Sequence, residues 1–435
     1  MPATRSATFR ESVLWMEQAD PPAPSPGPLP RAADVVVVGG GYAGLLAGRE
    51  LARRGRHAVV LEADALGAGA SSRNGGMVIP ELKAGPRALA RRYGPLGPRL
   101  HAAVEEAFDL VESLVADEAI DCDYHRSGQL YCAHDPALRP AWEELVAEHR
   151  DDLGDVEARF VEGDDLAAEL GSTAFGFAAV LGRTGGLHPA RYHAGLARLA
   201  SAAGAELHEH TRATAVTRTA GRFTVHTTRG PVDTGAVIAL TNATADGLVP
   251  ALRRRVLPVG SFIVATEPLD ADLAAAVLPT GRMVFDSKTF LFYWRLTPDG
   301  RMAFGGRRGL GATTLADAAD FLADCMVRVH PQLAGVAIDR VWGGQVAVTL
   351  DRLPHVGRLD GVWYATGCNG SGVALNSWLG VRMAATVLGE APPPFAELRH
   401  RPLPPRPTHR VGMPLAGAVM GRSDQPFWDR VGGRP

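Results

Sequence analysis

Cysteine is scarce in this 435-residue chain: Cys122, Cys132, Cys325 and Cys368 lie too far apart for a disulfide framework or a zinc ribbon, and read as buried thiols. No metal site is expected. Net charge is also nearly absent. Forty-five basic against 47 acidic side chains leave a formal charge of -2, which favours neither nucleic acid nor an anionic membrane as a partner. Long apolar runs are missing as well, because the stretch from Val35 to Leu46 is interrupted by three consecutive glycines and falls short of a bilayer span. The first 31 residues hold no apolar segment of the secretory kind and are proline-rich from Pro21 to Pro30. A cytoplasmic location is the expectation. Aromatic residues make up only 6% of the chain, so any local cluster of them is informative.

What the chain has is apolar bulk and glycine. At 435 residues and 46% hydrophobic it exceeds one ordinary core, and two interlocked domains are expected. Its most specific segment is Asp34-Val-Val-Val-Val-Gly39-Gly-Gly41-Tyr42-Ala43-Gly44, followed one helix later by Ala58-Val-Val-Leu-Glu62. In a chain with 50 glycines a bare GxGxxG could arise by chance. Here four valines precede it, Gly55 fits a helix C-cap, and the second strand ends in an acid, which is the context the motif requires. Gly39 turns the chain, Gly41 admits the backbone to a pyrophosphate, and Gly44 lets helix and strand pack closely. The helix start offers unpaired N–H groups to the phosphates. Glu62 stands where a carboxylate accepts hydrogen bonds from ribose hydroxyls and repels a 2′-phosphate. The motif calls for an unphosphorylated adenine dinucleotide, FAD or NAD.

Two later segments extend that grammar. Gly67-Ala-Gly-Ala70-Ser71-Ser72-Arg73-Asn74-Gly75-Gly76 is too rich in glycine to be retained without a reason, and reads as a second close approach of backbone to cofactor, with Ser71, Arg73 and Asn74 as polar contacts. Trp363-Tyr-Ala-Thr-Gly367-Cys-Asn369-Gly370-Ser371-Gly372-Val373 repeats strand, glycine turn and helix. Three approaches argue for the longer cofactor, FAD, whose reduced ring would be favoured by a helix start near Gly372. Between these segments, apolar spacing predicts helices over 99–117, 140–150 and 190–203, and a buried parallel strand at 236–240 that leads into Thr241. The densest aromatic stretch, Phe290-Leu-Phe-Tyr293-Trp-Arg295, joins Arg301–Gly306 through Pro298-Asp-Gly as a hairpin. Such a sheet could roof a flat ligand, or pack on helices as an ordinary sheet face. Residues 1–30 read as an extended arm anchored by Trp15 and Met16, and the proline-rich end, 393–435, as an extended tail.

These motifs, together with Gly186-Leu-His188-Pro189 and Trp342-Gly-Gly…Thr349-Leu-Asp351-Arg-Leu-Pro354-His355-Val-Gly357, resemble the FAD-dependent D-amino acid oxidase superfamily over nearly the whole chain. Within it the likeness is strongest to the gamma-glutamylputrescine oxidase type, with sarcosine and glycine oxidases further off. The resemblance implies an α/β fold: a Rossmann-like FAD-binding domain from 31–90, 185–257 and 340–392, interleaved with an α+β substrate domain on a mostly antiparallel sheet from 91–184 and 258–339. It also implies oxidation of an amine or amino acid C–N bond to an imine by hydride transfer to flavin N5, with oxygen as acceptor and peroxide released. A dehydrogenase with another acceptor, a biosynthetic flavoenzyme, an NAD-dependent dehydrogenase and a non-catalytic flavoprotein are the rival readings. Expected cofactor contacts besides the glycine segments are Ala215, Val216 and Thr241. His355, Lys288, Tyr293 and Arg307 are the expected catalytic and substrate-binding side chains, an arginine there being able to pair with a substrate carboxylate. The flavin-linking cysteine of sarcosine oxidases aligns near Gly344, which implies non-covalent FAD, and their oxygen-activating lysine aligns near Ala303.

Overall fold

A computed structural model describes the chain except for residues 1–3, 26, 245–247, 311–312, 404–416, 418 and 434–435. The expected tail therefore falls partly outside the described residues.

The four-valine strand Ala32–Val38 is buried on both faces, which is why its apolar run is continuous rather than alternating. It runs parallel to Ala58–Leu61 on one side (Val36 beside Val59) and to Gly230–Ala239 on the other (Val36 beside Val237). The eight-stranded sheet built on it continues through Glu206–His208 at one edge and the antiparallel strands Arg222–Thr227 and Ala213–Thr219 at the other. Val362–Thr366 also joins Gly230–Ala239 in parallel, and His355–Leu359 pairs with it antiparallel. Helices Tyr42–Arg53, Pro189–Ala202 and Gly372–Val387 cover one face of this sheet, burying Leu45, Leu46, Leu196 and Leu379 against Val35, Val37 and Val60. Leu96–Asp117 packs there too. Its stripe of Leu100, Val104, Phe108 and Val111 enters this core, so a helix expected in the substrate domain is shared with the cofactor side.

A second, nine-stranded sheet has the order Arg5–Arg10, Ile338–Val348, Leu257–Thr266, Met302–Gly306, Tyr293–Leu296, Met283–Asp286, Gln129–Cys132, Phe177–Leu181, Arg159–Glu162. Its pairings are antiparallel except Arg5–Arg10 with Ile338–Val348 and Met283–Asp286 with Gln129–Cys132. Ile338–Val348, expected largely with the cofactor domain, thus belongs to this sheet, because its whole length pairs with Leu257–Thr266. The aromatic hairpin closes where expected, with Leu296 beside Met302. Its two faces differ. Phe292, Trp294 and Phe304 turn away into a core with Phe321, Phe427 and Trp428, while Tyr293 turns toward the first sheet. Most of the expected aromatic roof is an ordinary sheet face packed on helices.

Among the described residues the N-terminal arm is extended and largely exposed, with the strand Arg5–Arg10, and one of its two expected anchors is seated in the core. Trp15 is fully buried in a short helix, Leu14–Glu17, while its neighbour Met16 is exposed. At the other end Gln425–Arg430 is helical, and its Phe427 and Trp428 complete the second core. Asp424 just before this helix accepts the Thr289 and Phe290 N–H groups. Those buried contacts outweigh the extended bias of the prolines before it.

Candidate functional site

The turn between Val38 and the helix at Tyr42 is shaped by backbone that no side chain would permit. Gly39 has φ +112, and a Cβ on it would lie 2.6 Å from the Leu240 carbonyl. At Gly44 a Cβ would sit 1.7 Å from the Gly39 carbonyl, so helix and turn touch directly. Tyr42 N–H donates to Ser71 Oγ at 3.1 Å, which docks the second glycine segment against the helix start. Glu62 receives the Gly40 N–H at 2.8 Å on one carboxylate oxygen and the Asp64 N–H at 3.2 Å on the other. His193, buried beneath the turn, has Nε2 2.7 Å from the Gly40 carbonyl, and burial pulls its pKa down to about 4.

Arg73 and Asn74 organise the second segment. Arg73 Nε donates to the Ala68 carbonyl at 2.7 Å and Nη1 to the Gly343 carbonyl at 3.3 Å, and burial lowers its pKa. Asn74 Nδ2 donates to the Ser71 carbonyl at 2.9 Å and to the Tyr42 hydroxyl at 3.2 Å, while its Oδ1 receives the Gly76 N–H. In the third segment Asn369 Oδ1 accepts the Thr349 N–H at 3.1 Å, and Cys368 Sγ receives Asn242 Nδ2 at 3.4 Å. The helix Gly372–Val387 starts from this turn.

All three segments line one cavity of about 600 Å³, a volume typical of small-molecule and cofactor sites. Gly39, Gly41, Tyr42, Ala43 and Glu62 line it together with Ala70, Ser71, Arg73, Asn74, Gly75, Thr241, Asn369, Gly370, Ser371, Gly372 and Val373. Tyr293 and Arg307 stand on the wall contributed by the second sheet, with Ser261, Phe285 and Leu291. Tyr293 Oη lies 3.1 Å from Ser261 Oγ, and burial raises its pKa. Arg307 has its pKa lowered by burial, partly restored by Tyr293 and lowered further by the charge of Arg352. Gly44, Gly76 and Gly367 support the wall from behind.

Besides Gly44, Gly76 and Gly367, four expected residues are not on the cavity wall. Ala215 and Val216 lie on the hairpin strand Ala213–Thr219, paired with His226 and Val225, and Arg212 and Ala213 reach the cavity instead. Lys288 is wholly buried in the second core, ion-paired with Asp286 and 3.9 Å from the ring centres of Phe292 and Phe427. His355 is held by Asp351 Oδ1 at 2.9 Å and stacks on His400 at 4.1 Å. Lys288, expected beside the aromatic hairpin, and His355, expected in a loop near the flavin, turn their side chains to Asp286 and to Asp351 and His400, respectively, instead. Conversely, His193, Ser261, Glu81 and Lys83 line it without a motif to announce them. His193 carried only a weak sign, a histidine on the buried face of its helix.

The geometry fits an adenine dinucleotide. The glycine positions form a cradle that Cβ atoms would fill, Gly41 among them at 2.8 Å from Ser71 Oγ, and the helix start and Glu62 stand where phosphates and ribose need them. Residues 34–386 match the family model DAO, described as FAD dependent oxidoreductase. The chain is 33% identical over 392 residues to gamma-glutamylputrescine oxidoreductase of Escherichia coli (strain K12), covering 89% of this chain and 91% of that protein. It is 26% identical over 365 residues to glycine oxidase of Pseudomonas putida, covering 78% and 90%. Among solved structures, glycine oxidase from Geobacillus kaustophilus superposes with a TM-score of 0.73 at 22% identity, covering 86% of this chain and all of that one. L-amino acid deaminase from Proteus vulgaris gives 0.69 at 20%, covering 86% and 95%. These last two are alike in fold. Fold, cofactor cradle and family match together make the chain a member of the DAO family of FAD-dependent oxidoreductases.

Proposed function

We propose that this protein is a cytoplasmic enzyme that oxidises a C–N bond of a primary or secondary amine or amino acid to an imine, with FAD bound non-covalently. The observation that carries the reading is the continuity of one cavity from the dinucleotide cradle to Tyr293 and Arg307 on the second sheet. The Gly39–Gly44 turn, Glu62 and the second and third glycine segments would hold FAD, which would supply a hydride acceptor at N5 with oxygen as the final electron acceptor and hydrogen peroxide as the product. The chain's own residues bind and orient. Arg307 offers a planar guanidinium to a substrate carboxylate, the Tyr293 hydroxyl remains protonated, and the Phe285 and Leu291 side chains keep water from the amine. Relatives named for gamma-glutamylputrescine and for glycine make an amine carrying a remote or adjacent carboxylate the first class to test.

A second reading, a dehydrogenase with another electron acceptor, is supported by one observation. The chain has two lysines; Lys288 is sealed in the second core, and only Lys83 reaches the cavity wall. An anaerobic screen of amines that follows flavin bleaching, then admits air, separates the two. Bleaching with prompt recovery and peroxide supports the oxidase, bleaching without recovery the dehydrogenase, and no bleaching by any amine rejects both. Flavin released by acid precipitation confirms non-covalent attachment.

A further inference from the structure

We infer that Trp15 and Trp342 are positioning residues of the cofactor site: from behind the cavity wall their indole N–H groups turn two peptide groups so that the Asn74 and Gly75 amides face the cavity as a donor pair. The inference rests on the reading above that this cavity takes FAD. Trp342 Nε1 donates to the Arg73 carbonyl and Trp15 Nε1 to the Asn74 carbonyl, each at 2.9 Å. Neither indole lines the cavity, and both are buried. A trans peptide carries its C=O and N–H on opposite sides. Two carbonyls drawn back into the protein therefore send the next two N–H groups forward, from residues that do line the cavity. Among the described residues neither the Asn74 nor the Gly75 N–H has an acceptor, whereas the Gly76 N–H is already held by Asn74 Oδ1 at 2.8 Å. Successive free N–H groups of this kind form a concavity for an electron-rich atom, and leaving them unpaired would be costly.

The bracing behind them is specific. The two indoles meet edge to face at 6.0 Å, and Trp15 also meets His188 at 5.1 Å. Arg295 Nη1 donates to the Leu187 carbonyl at 2.9 Å and to the Gly76 carbonyl, at the far end of the same loop, at 3.5 Å. Trp15 is delivered by the N-terminal arm, where Gln18 Nε2 donates to Asp299 at 2.8 Å and residues 5–10 pair with the strand that carries Trp342. That arm precedes the 34–386 segment matched by the family. The chemical partner is a carbonyl oxygen or ring nitrogen on the polar edge of the isoalloxazine, which gains negative charge on reduction.

Trp15→Phe and Trp342→Phe in the full chain keep an aromatic ring and remove the donor together with part of the buried ring volume. Each is expected to raise the FAD dissociation constant about two- to tenfold, the worth of one hydrogen bond, and to lower the midpoint potential of the bound flavin. ADP affinity of the apoprotein, measured calorimetrically, should stay at the wild-type value because the Gly39–Gly44 cradle is untouched. FAD and ADP affinities that fall together, or a lower Tm with unchanged FAD affinity and potential, would overturn the inference. Wild-type protein that binds no FAD would instead overturn the functional reading. If Trp15→Phe does not fold, Trp342→Phe, which leaves the arm intact, decides the question by the same readouts.

Discussion

Arg307 and Lys288 are both cations of the second sheet's surroundings, and their environments assign them opposite tasks. Arg307 lies on the cavity wall beside the Tyr293 hydroxyl and the like-charged Arg352, and no carboxylate is among the described groups that act on it. A partly desolvated guanidinium in that state is stabilised by an incoming anion. Arg307→Met should lower kcat/KM for a carboxylate-bearing amine about 10- to 150-fold, the worth of a hydrogen bond to a charged group, mainly through KM. An amine without a carboxylate should lose little, and equal losses for both substrates would refute the carboxylate role. Lys288, by contrast, neutralises Asp286 inside a core, where burial raises the carboxyl's pKa against the opposing pull of Lys288. Lys288→Met leaves that acid unpaired and should destabilise the protein by about 3–5 kcal/mol, while the folded fraction keeps its KM. Denaturant unfolding alongside steady-state kinetics checks both halves; a large kinetic defect in a stable variant would return Lys288 to the site.

The strand–turn–helix at Val38–Tyr42 was legible because its requirements are local. Valines fix the buried strand and glycines the backbone approach, and Glu62 fixes the far side of the turn. Gly44→Ala tests this directly, since its Cβ would meet the Gly39 carbonyl at 1.7 Å and must push the helix off the turn. FAD binding should be lost, whereas Gly309→Ala, with open space at its Cβ, should bind as wild type; FAD retained by Gly44→Ala would show that the turn can relax. What was not legible depended on distant partners. Nothing near residue 338 announces that Ile338–Val348 pairs with Leu257–Thr266 rather than joining the parallel sheet. Nor does Trp15, in a proline-bordered arm, announce a carbonyl 59 residues away. His355 was misplaced for a related reason: its loop is tied to the third glycine turn through Thr349 and Asn369, yet its ring turns toward His400. Motifs locate backbone near a cofactor more reliably than they direct side chains.

The two cores share one vulnerability, a neutral histidine in each. His193 lies beneath the cofactor turn, and His330 sits in the second core, edge-on to Trp294 at 5.8 Å with Nδ1 3.3 Å from the Gly171 carbonyl. Burial brings each pKa from the ordinary 6.5 to about 4. Between those values the unfolded chain binds more protons than the folded one, so stability rises with pH through the window and is lost as pH falls from 6.5 toward 4. Each histidine contributes a slope of about 1.4 kcal/mol per pH unit within it. Carboxylates such as Asp299 and Asp339, whose folded pKa values are lowered below an ordinary 3.8, add their loss only at lower pH. Urea midpoints measured from pH 7 to pH 4.5 should therefore fall before those carboxylates begin to titrate. His330→Asn, which has no titrating ring, should start from a lower stability at pH 7 but show a shallower slope. A variant with the wild-type slope would place the acid sensitivity elsewhere.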